Sequence, residues 1–266
     1  MMKTLDILCA SDLTQASNTA LHYALDLAER AGTRVTLLHV LGRDERAGDA
    51  RELVNERMER QVMDAGGDGK VRVLLQEGDL LPALEQETAH GHSLFVLGTH
   101  GPHGLRQALF GADILKVVRR SAVPSLVVQE ESPLQNPMAR IVMPVAGHSD
   151  IHALLDAVCM MARQYASEVH VYQLIRPNES PSDELLSNKA TMLERLSSEG
   201  IRHVEANEPS TLFSIGFAEP TIRYAERIGA GCIAIMAQAS DEYRYMADAE
   251  KERMLTNAPR IPVLCC

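Results

Sequence analysis

Three glycines in one stretch are the residues best spaced to do chemistry. Gly98 and Gly101 lie in Val96-Leu97-Gly98-Thr99-His100-Gly101-Pro102-His103-Gly104, and Gly111 follows in Phe110-Gly111-Ala112-Asp113. An apolar run, Ser93 to Leu97, ends at these glycines. An amphipathic stretch, Ile114 to Val118, starts after them and finishes in Arg119-Arg120. Strand, glycine loop and helix start is the arrangement in which backbone N–H groups cradle a phosphate. Glycine suits that role because it has no Cβ to hold a ligand away from the backbone. The spacing is neither a P-loop, which ends in Gly-Lys-Ser/Thr, nor the dinucleotide Gly-x-Gly-x-x-Gly. Any one of these glycines alone reads as a turn residue; all three after a buried strand read as a ligand loop.

A carboxylate, Asp12, follows the first apolar run and opens on the same edge of a parallel sheet, beyond the carboxyl ends where ligands bind. It also suits an N-cap or Asx turn, and the two roles are compatible. His90, His92, His100 and His103 are split between two loops, without a carboxylate at ligand spacing or a helical His-x3-His pair. They are expected to be solvated loop histidines, and no metal is expected. The five cysteines contain no Cys-x-x-Cys, so neither a disulfide framework nor a zinc site is indicated. Of Cys265 and Cys266, strand alternation sends one inward, where a thiol packs as a small hydrophobe. Arg119 and Arg120 complement the dipole at a helix end. No Ser–His–acid set, loop lysine or paired carboxylate clamp can be placed. The chain is therefore read as no enzyme, or at most a slow, incidental ATPase.

The elements that must position these residues alternate. Leu5 to Ala10 suits a doubly covered strand, and a helix follows with Leu21, Ala24, Leu25 and Ala28 at helical spacing, closed by Gly32. Arg34 to Val40 is a second strand, residues 46 to 64 a polar helix, Val71 to Leu75 a third strand and Leu80 to Thr88 a third helix. Ser93 to Leu97 is the fourth strand and Ala122 to Val128 contains the last. Such alternation predicts a right-handed parallel α/β sheet. Residues 131–138, with two prolines, read as a linker. The pattern then restarts: Ile141 to Val145 and Val169 to Leu174 each fall 134 positions after Ile7 to Ser11 and Val35 to Val40. A repeat this long is a duplicated domain. The expected division is 1–130, a linker over 131–138, and 139–266.

The spacing Gly98, two residues, Gly101, nine residues, Gly111 resembles the Gly-x2-Gly-x9-Gly-Ser/Thr signature of the universal stress protein family, with Ala112 in the Ser/Thr place. The strand around Pro124 to Val128 resembles the family's closing strand, and the whole chain resembles a tandem member. The resemblance implies two five-stranded, Rossmann-like domains of the adenine-nucleotide-binding type, packed as a pseudo-dimer. It implies ATP or a related adenine nucleotide, with or without Mg2+. Asp12 would meet the nucleoside, the Val40 backbone the adenine, and Gly98, Gly101, Gly111, Ala112 and Asp113 the phosphates. Asp113 sets a negative charge beside that polyphosphate.

The second copy lacks these features. Matching fourth strands puts Ala237 opposite Gly98 and Ser240 opposite Gly101. Counting back from Pro262 puts Ala249 and Glu250 opposite Gly111 and Ala112, with one residue deleted between, and Ala146 stands for Asp12. Binding is expected in the N-terminal half only, with Glu250 adding a carboxylate where a phosphate would lie.

Bulk properties agree with a nucleotide-binding regulatory or stress-response protein. Hydrophobic residues make up 45% of the 266, enough for two cores, and the net charge of −10 disfavours nucleic acid and anionic membranes. With 4% aromatics and no Trp, base-stacking platforms are not expected either. The start of the chain shows no apolar signal core and no run long enough to span a membrane, so a reduced, cytoplasmic protein is expected. An intramolecular domain pair and a homodimer are the expected assemblies. The alternative is an interaction scaffold of the same fold that has lost nucleotide. An enzyme on a related fold, an electron-transfer flavoprotein or adenylating enzyme, lacks its motifs.

Overall fold

The structure, a computed structural model, describes residues 6–100, 114–176, 180–210, 216–238 and 247–266. The chain divides into two compact units, Met1–Leu134 and Gln135–Cys266. In the first, β1 (Asp6–Ala10), α1 (Gln15–Ala31), β2 (Val35–Leu41), α2 (Gly48–Asp64), β3 (Val71–Glu77), α3 (Leu80–Thr88), β4 (His92–Thr99), α4 (Ile114–Arg120) and β5 (Ser125–Gln129) follow in order. The strands are parallel and run β3-β2-β1-β4-β5 across the sheet.

The second unit repeats this with β6 (Arg140–Pro144), α5 (His152–Tyr165), β7 (Glu168–Ile175), α6 (Asp183–Ser198), β8 (His203–Pro209), α7 (Ala218–Arg227), β9 (Cys232–Ile235), α8 (Ala247–Leu255) and β10 (Val263–Cys265). Its order, β8-β7-β6-β9-β10, is the same winding. Both units are α/β with β1 or β6 central, the position that leaves a crevice beyond the carboxyl ends of the strands.

Why these residues form these elements is visible strand by strand. Ile7, Leu8, Cys9 and Ala10 are buried, as are Leu94 to Leu97, because helices cover both faces of a parallel sheet. The edge strand β3 is mostly half-buried, and the helix beside it, α2, buries only Val54, Met58, Gln61 and Val62. The α1 face that meets the sheet is rich in alanine (Ala16, Ala20, Ala24, Ala28), which lets the helix sit close. Gly32 ends α1 in the left-handed region at φ 64, its N–H closing on Ala28 and Glu29. The equivalent residue of the second unit, Ala166, ends α5 at φ 50 without being glycine.

The stretch over 131–138 is tied down rather than loose. The Tyr23 hydroxyl donates to the Pro133 carbonyl at 2.6 Å within the first unit. Within the second, Asn136 Nδ2 donates to the Gly231 carbonyl at 2.8 Å and the buried Ser167 hydroxyl to that of Met138 at 2.7 Å.

Candidate functional site

Beyond the carboxyl end of β1 the chain makes a tight, hydrogen-bonded turn into α1. The buried Ser11 extends the ladder by one bond, its N–H donating to the Leu38 carbonyl at 2.8 Å. Its hydroxyl donates to Gln61 Oε1 at 2.7 Å and accepts from the Leu13 N–H at 3.1 Å. Gln61, from α2, reaches back to Asn18 Oδ1 at 2.6 Å, so one side chain braces both the loop and the first turn of α1. Leu13 sits at φ 61, a left-handed conformation that a branched residue holds only when its surroundings over-determine it.

Asp12 is in this turn. Its Oδ1 accepts the Thr14 N–H at 3.2 Å and the Thr14 hydroxyl, an Asx turn that leads into α1. Among the described residues Oδ2 has no partner. The turn-forming role therefore exists, and one oxygen remains for a ligand hydroxyl.

Val40, buried near the end of β2, is positioned by an imidazole. Alternate β2 residues point their backbone groups toward β1, as Leu38 does in taking the Ser11 N–H, and Val40 comes next on that side. The partner its N–H would find in a continuing parallel ladder is the Ser11 carbonyl. His39 Nδ1 stands 2.8 Å from that oxygen; a carbonyl only accepts, so Nδ1 carries the proton. His39 Nε2 lies 3.2 Å from Glu45 Oε2, which also accepts the Gly42 N–H at 2.8 Å. Burial works against a charge on Glu45, but the Gly42 N–H and His39 outweigh it and hold the carboxyl below its usual range. No described backbone bond uses the Val40 N–H on the β1 side.

Gly98 corrects the expectation placed on it. It is not in a loop: β4 runs through Thr99, and Gly98 pairs with Val128 of β5. A Cβ there would stand 2.2 Å from the Ala16 carbonyl oxygen and 2.9 Å from the Ser17 nitrogen. The missing side chain makes room for the first turn of α1, not for a ligand. Gly98 shapes the site from behind. Gly101, Gly111, Ala112 and Asp113 lie outside the described residues, as does His103.

Of the described histidines in this set, His90 is an exposed turn residue, as expected, whereas His92 and His100 are largely shielded from water. His92 is buried at the amino end of β4, with Nδ1 2.5 Å from Asp6 Oδ1, out of line for a hydrogen bond, and Nε2 3.2 Å from Glu87 Oε1. It stands at the edge of the sheet opposite the candidate site. His90 Nδ1 lies 3.4 Å from Glu87 Oε2, and His100 Nδ1 2.7 Å from Glu130 Oε2. Among the described residues no group of three or more His, Cys, Asp or Glu could hold a metal ion. Arg120 pairs with Glu85 of α3 across the surface.

Sheet registers revise the alignment of the two halves. Ile7 pairs with Leu94 in the first unit and Ile141 with Cys232 in the second. The β4–β5 and β9–β10 pairs agree: Phe95 N–H donates to Pro124, and Ile233 N–H to Pro262. Gly98 therefore corresponds to Met236, not Ala237, and Gly101 to Ala239, not Ser240. The same shift carries through to Ala249 and Glu250, so no deletion is needed. Glu250 has its own task, accepting the Ala218 N–H at 2.7 Å to cap α7.

Residues 4–129 match the Universal stress protein family. No curated protein matches the chain. Among solved structures, a universal stress protein from Archaeoglobus fulgidus DSM 4304 superposes with a TM-score of 0.70 at 18% identity, over 98% of this chain and 97% of that one. A functionally unknown protein from Pseudomonas aeruginosa PAO1 does so at 0.62 and 18%, over 98% and 92%. The cytoplasmic domain of a prokaryotic cation chloride cotransporter does so at 0.55 and 11%, over 99% and 95%. At such identities the likeness is one of fold, and the cotransporter domain shows that the fold serves more than one kind of protein. Among the described residues, no helix is long and apolar enough to cross a membrane. The likeness to the universal stress protein family is thus one of sequence over residues 4–129 and one of fold over the whole chain.

Proposed function

We propose that the first unit binds an adenine nucleotide, ATP or a close relative, and that the protein is a nucleotide-responsive member of the stress-protein family rather than an enzyme. The observation that carries this is the Val40 backbone. On the side that faces the end of β1, no described backbone bond uses the Val40 N–H. A strand's adjacent N–H and C=O offer one donor and one acceptor side by side, the pattern that the amino-pyrimidine edge of adenine complements. Asp12, at the end of β1, supplies a carboxylate oxygen to a ribose hydroxyl. The phosphates would fall to Gly101, Gly111 and Ala112, and Mg2+ would come with them rather than reside in the protein.

The test is calorimetry with ATP on the whole chain. Gly101→Val should abolish binding, while Ala239→Val, its counterpart by register, should leave affinity unchanged. The second reading is an interaction scaffold without nucleotide, favoured by Ala112, which lacks the family's hydroxyl. Denaturing freshly purified protein and chromatographing the supernatant separates them: released adenine nucleotide supports the first, a clean trace together with no calorimetric signal the second.

A further inference from the structure

The second unit has Ala146 where the first has the carboxylate of Asp12, and space remains beside it. At the carboxyl edge of its sheet lies a pocket of about 100 Å³, whose walls include Ala146, Tyr172, Leu174, Leu185, Phe217 and Met236. Three of these are counterparts of the first unit's candidate positions: Ala146 of Asp12, Leu174 of Val40 and Met236 of Gly98. The room has a definite origin. Helix α1 starts at Gln15, and its equivalent would start at position 149, but α5 starts three residues later, at His152. The helical turn that packs against Gly98 in the first unit is missing here.

Several polar groups around the pocket are already engaged within the protein. Asn188 Nδ2, from α6, donates to the carbonyls of Ala146 and His148 at 2.9 and 2.8 Å, so the β6–α5 loop has its acceptors satisfied from the protein side. The Lys251 ammonium donates to the Met236 carbonyl at 2.7 Å and to that of Gln238. Arg176, also in the wall, has interactions of its own. Lys251 is thus held by neutral carbonyls, and the rest of the wall is predominantly apolar. Protein interiors seldom leave voids larger than a water molecule, and an empty one lowers stability. One larger side chain in place of Ala146 would remove it.

We propose that this pocket binds a small, uncharged, mainly aromatic molecule and does not take nucleotide. Apolar cavities of roughly 150 Å³ hold benzene, so a pocket of about 100 Å³ seats most of a single ring, with any remainder of the molecule at its mouth. Phe217, Tyr172 and the Met236 thioether are suited to ring contacts, sulfur to ring edge and aromatic to aromatic.

The experiment uses the whole chain with methyl-labelled Met, Leu and Ile and indole as the probe. Saturable shifts of the Met236, Leu174 and Leu185 methyls are expected, unaffected by ATP. Ala146→Leu should weaken indole binding at least tenfold while raising the melting temperature of the ligand-free protein. Leu174→Ala, which enlarges the pocket, should retain indole and tighten binding of the larger naphthalene several-fold, which keeps the test decisive if Ala146→Leu folds poorly. Absence of methyl shifts up to the solubility of indole would overturn the proposal. So would undiminished binding in a folded Ala146→Leu, no gain for naphthalene in Leu174→Ala, or displacement of indole by ATP. ATP affinity is measured on the same variants, and its loss or absence bears on the first unit alone.

Discussion

The alpha carbon of Gly98 and the carbonyl of Ala16 approach so closely that a Cβ on the glycine would stand 2.2 Å from the oxygen. The contact is backbone to backbone across the β4–α1 interface, so no side-chain rotation relieves it. Gly98→Ala should force α1 outward and lower stability by about 1–3 kcal/mol, the usual cost of overpacking a core. The denaturant midpoint of the variant measures this, and an unchanged midpoint would show that the helix can shift without cost. Because Asp12 and Leu13 lead directly into α1, nucleotide affinity should fall with it.

The pairing of His39 with Glu45 predicts a pH dependence of defined sign. The Glu45 carboxyl is held below its ordinary value in the folded protein. Its contribution to stability is therefore present above the ordinary carboxyl range and is lost as pH falls through the depressed value. His39 and Arg57 are the charged groups that favour the carboxylate. Glu45→Gln should be less stable than the parent at neutral pH, and the gap should close as the solution is acidified through about pH 5 to 3. Paired thermal melts across that range report it; a gap constant with pH would mean that the charge of Glu45 is irrelevant.

Ala166 terminates α5 at φ 50, where the first unit has Gly32 at φ 64. An L-residue in this region costs roughly 1–2 kcal/mol relative to the right-handed helix, a penalty glycine avoids. Part of the gain is offset by the greater freedom of glycine in the unfolded chain. Ala166→Gly should stabilise the protein by about 0.5–1 kcal/mol in equilibrium unfolding. A loss of stability would show that the Ala166 methyl contributes more to packing than the backbone does to strain.

All five thiols should be inert in the native protein. Cys9, Cys159, Cys232 and Cys265 are buried, and Cys266 is partly so. Burial pushes Cys232 and Cys266 up to about 12 and raises Cys9 and Cys265 as well. Burial also raises Cys159, against the opposing charges of Arg195 and Arg163. The reactive species is the thiolate, so a disulfide reagent at pH 8 should find almost none until denaturant is added, then five. Rapid native labelling of Cys266 would restore the redox role that its burial argues against.

Local chemistry was legible wherever a short-range rule decides. Leu80–Thr88 is a helix with the bounds its spacing predicts, and Gly32 closes α1 as a C′ glycine does. The strand of Val71 was read two residues short, because Gln76 and Glu77 are polar and join β3 only through pairing with β2. Gly98 was misread for a related reason. Glycine after an apolar run signals a turn, and only the contact with Ala16, distant in sequence, makes it a strand residue.

The amino-acid sequence by itself determined the α/β alternation, its repetition in the second half at an offset of 134 residues over the first two strands, and the replacement of Asp12 by Ala146 in the second copy. Periodicity, glycine placement and side-chain polarity are local properties and survive without coordinates. Tertiary structure alone decided what individual polar groups do. It put His92 between two carboxylates rather than in water, gave Glu250 to the cap of α7, and set Met236 rather than Ala237 opposite Gly98. It also left a pocket among the second unit's counterparts of the candidate positions. Each of these depends on which strands are hydrogen-bonded neighbours and where a helix begins, and such pairings join residues far apart in the chain.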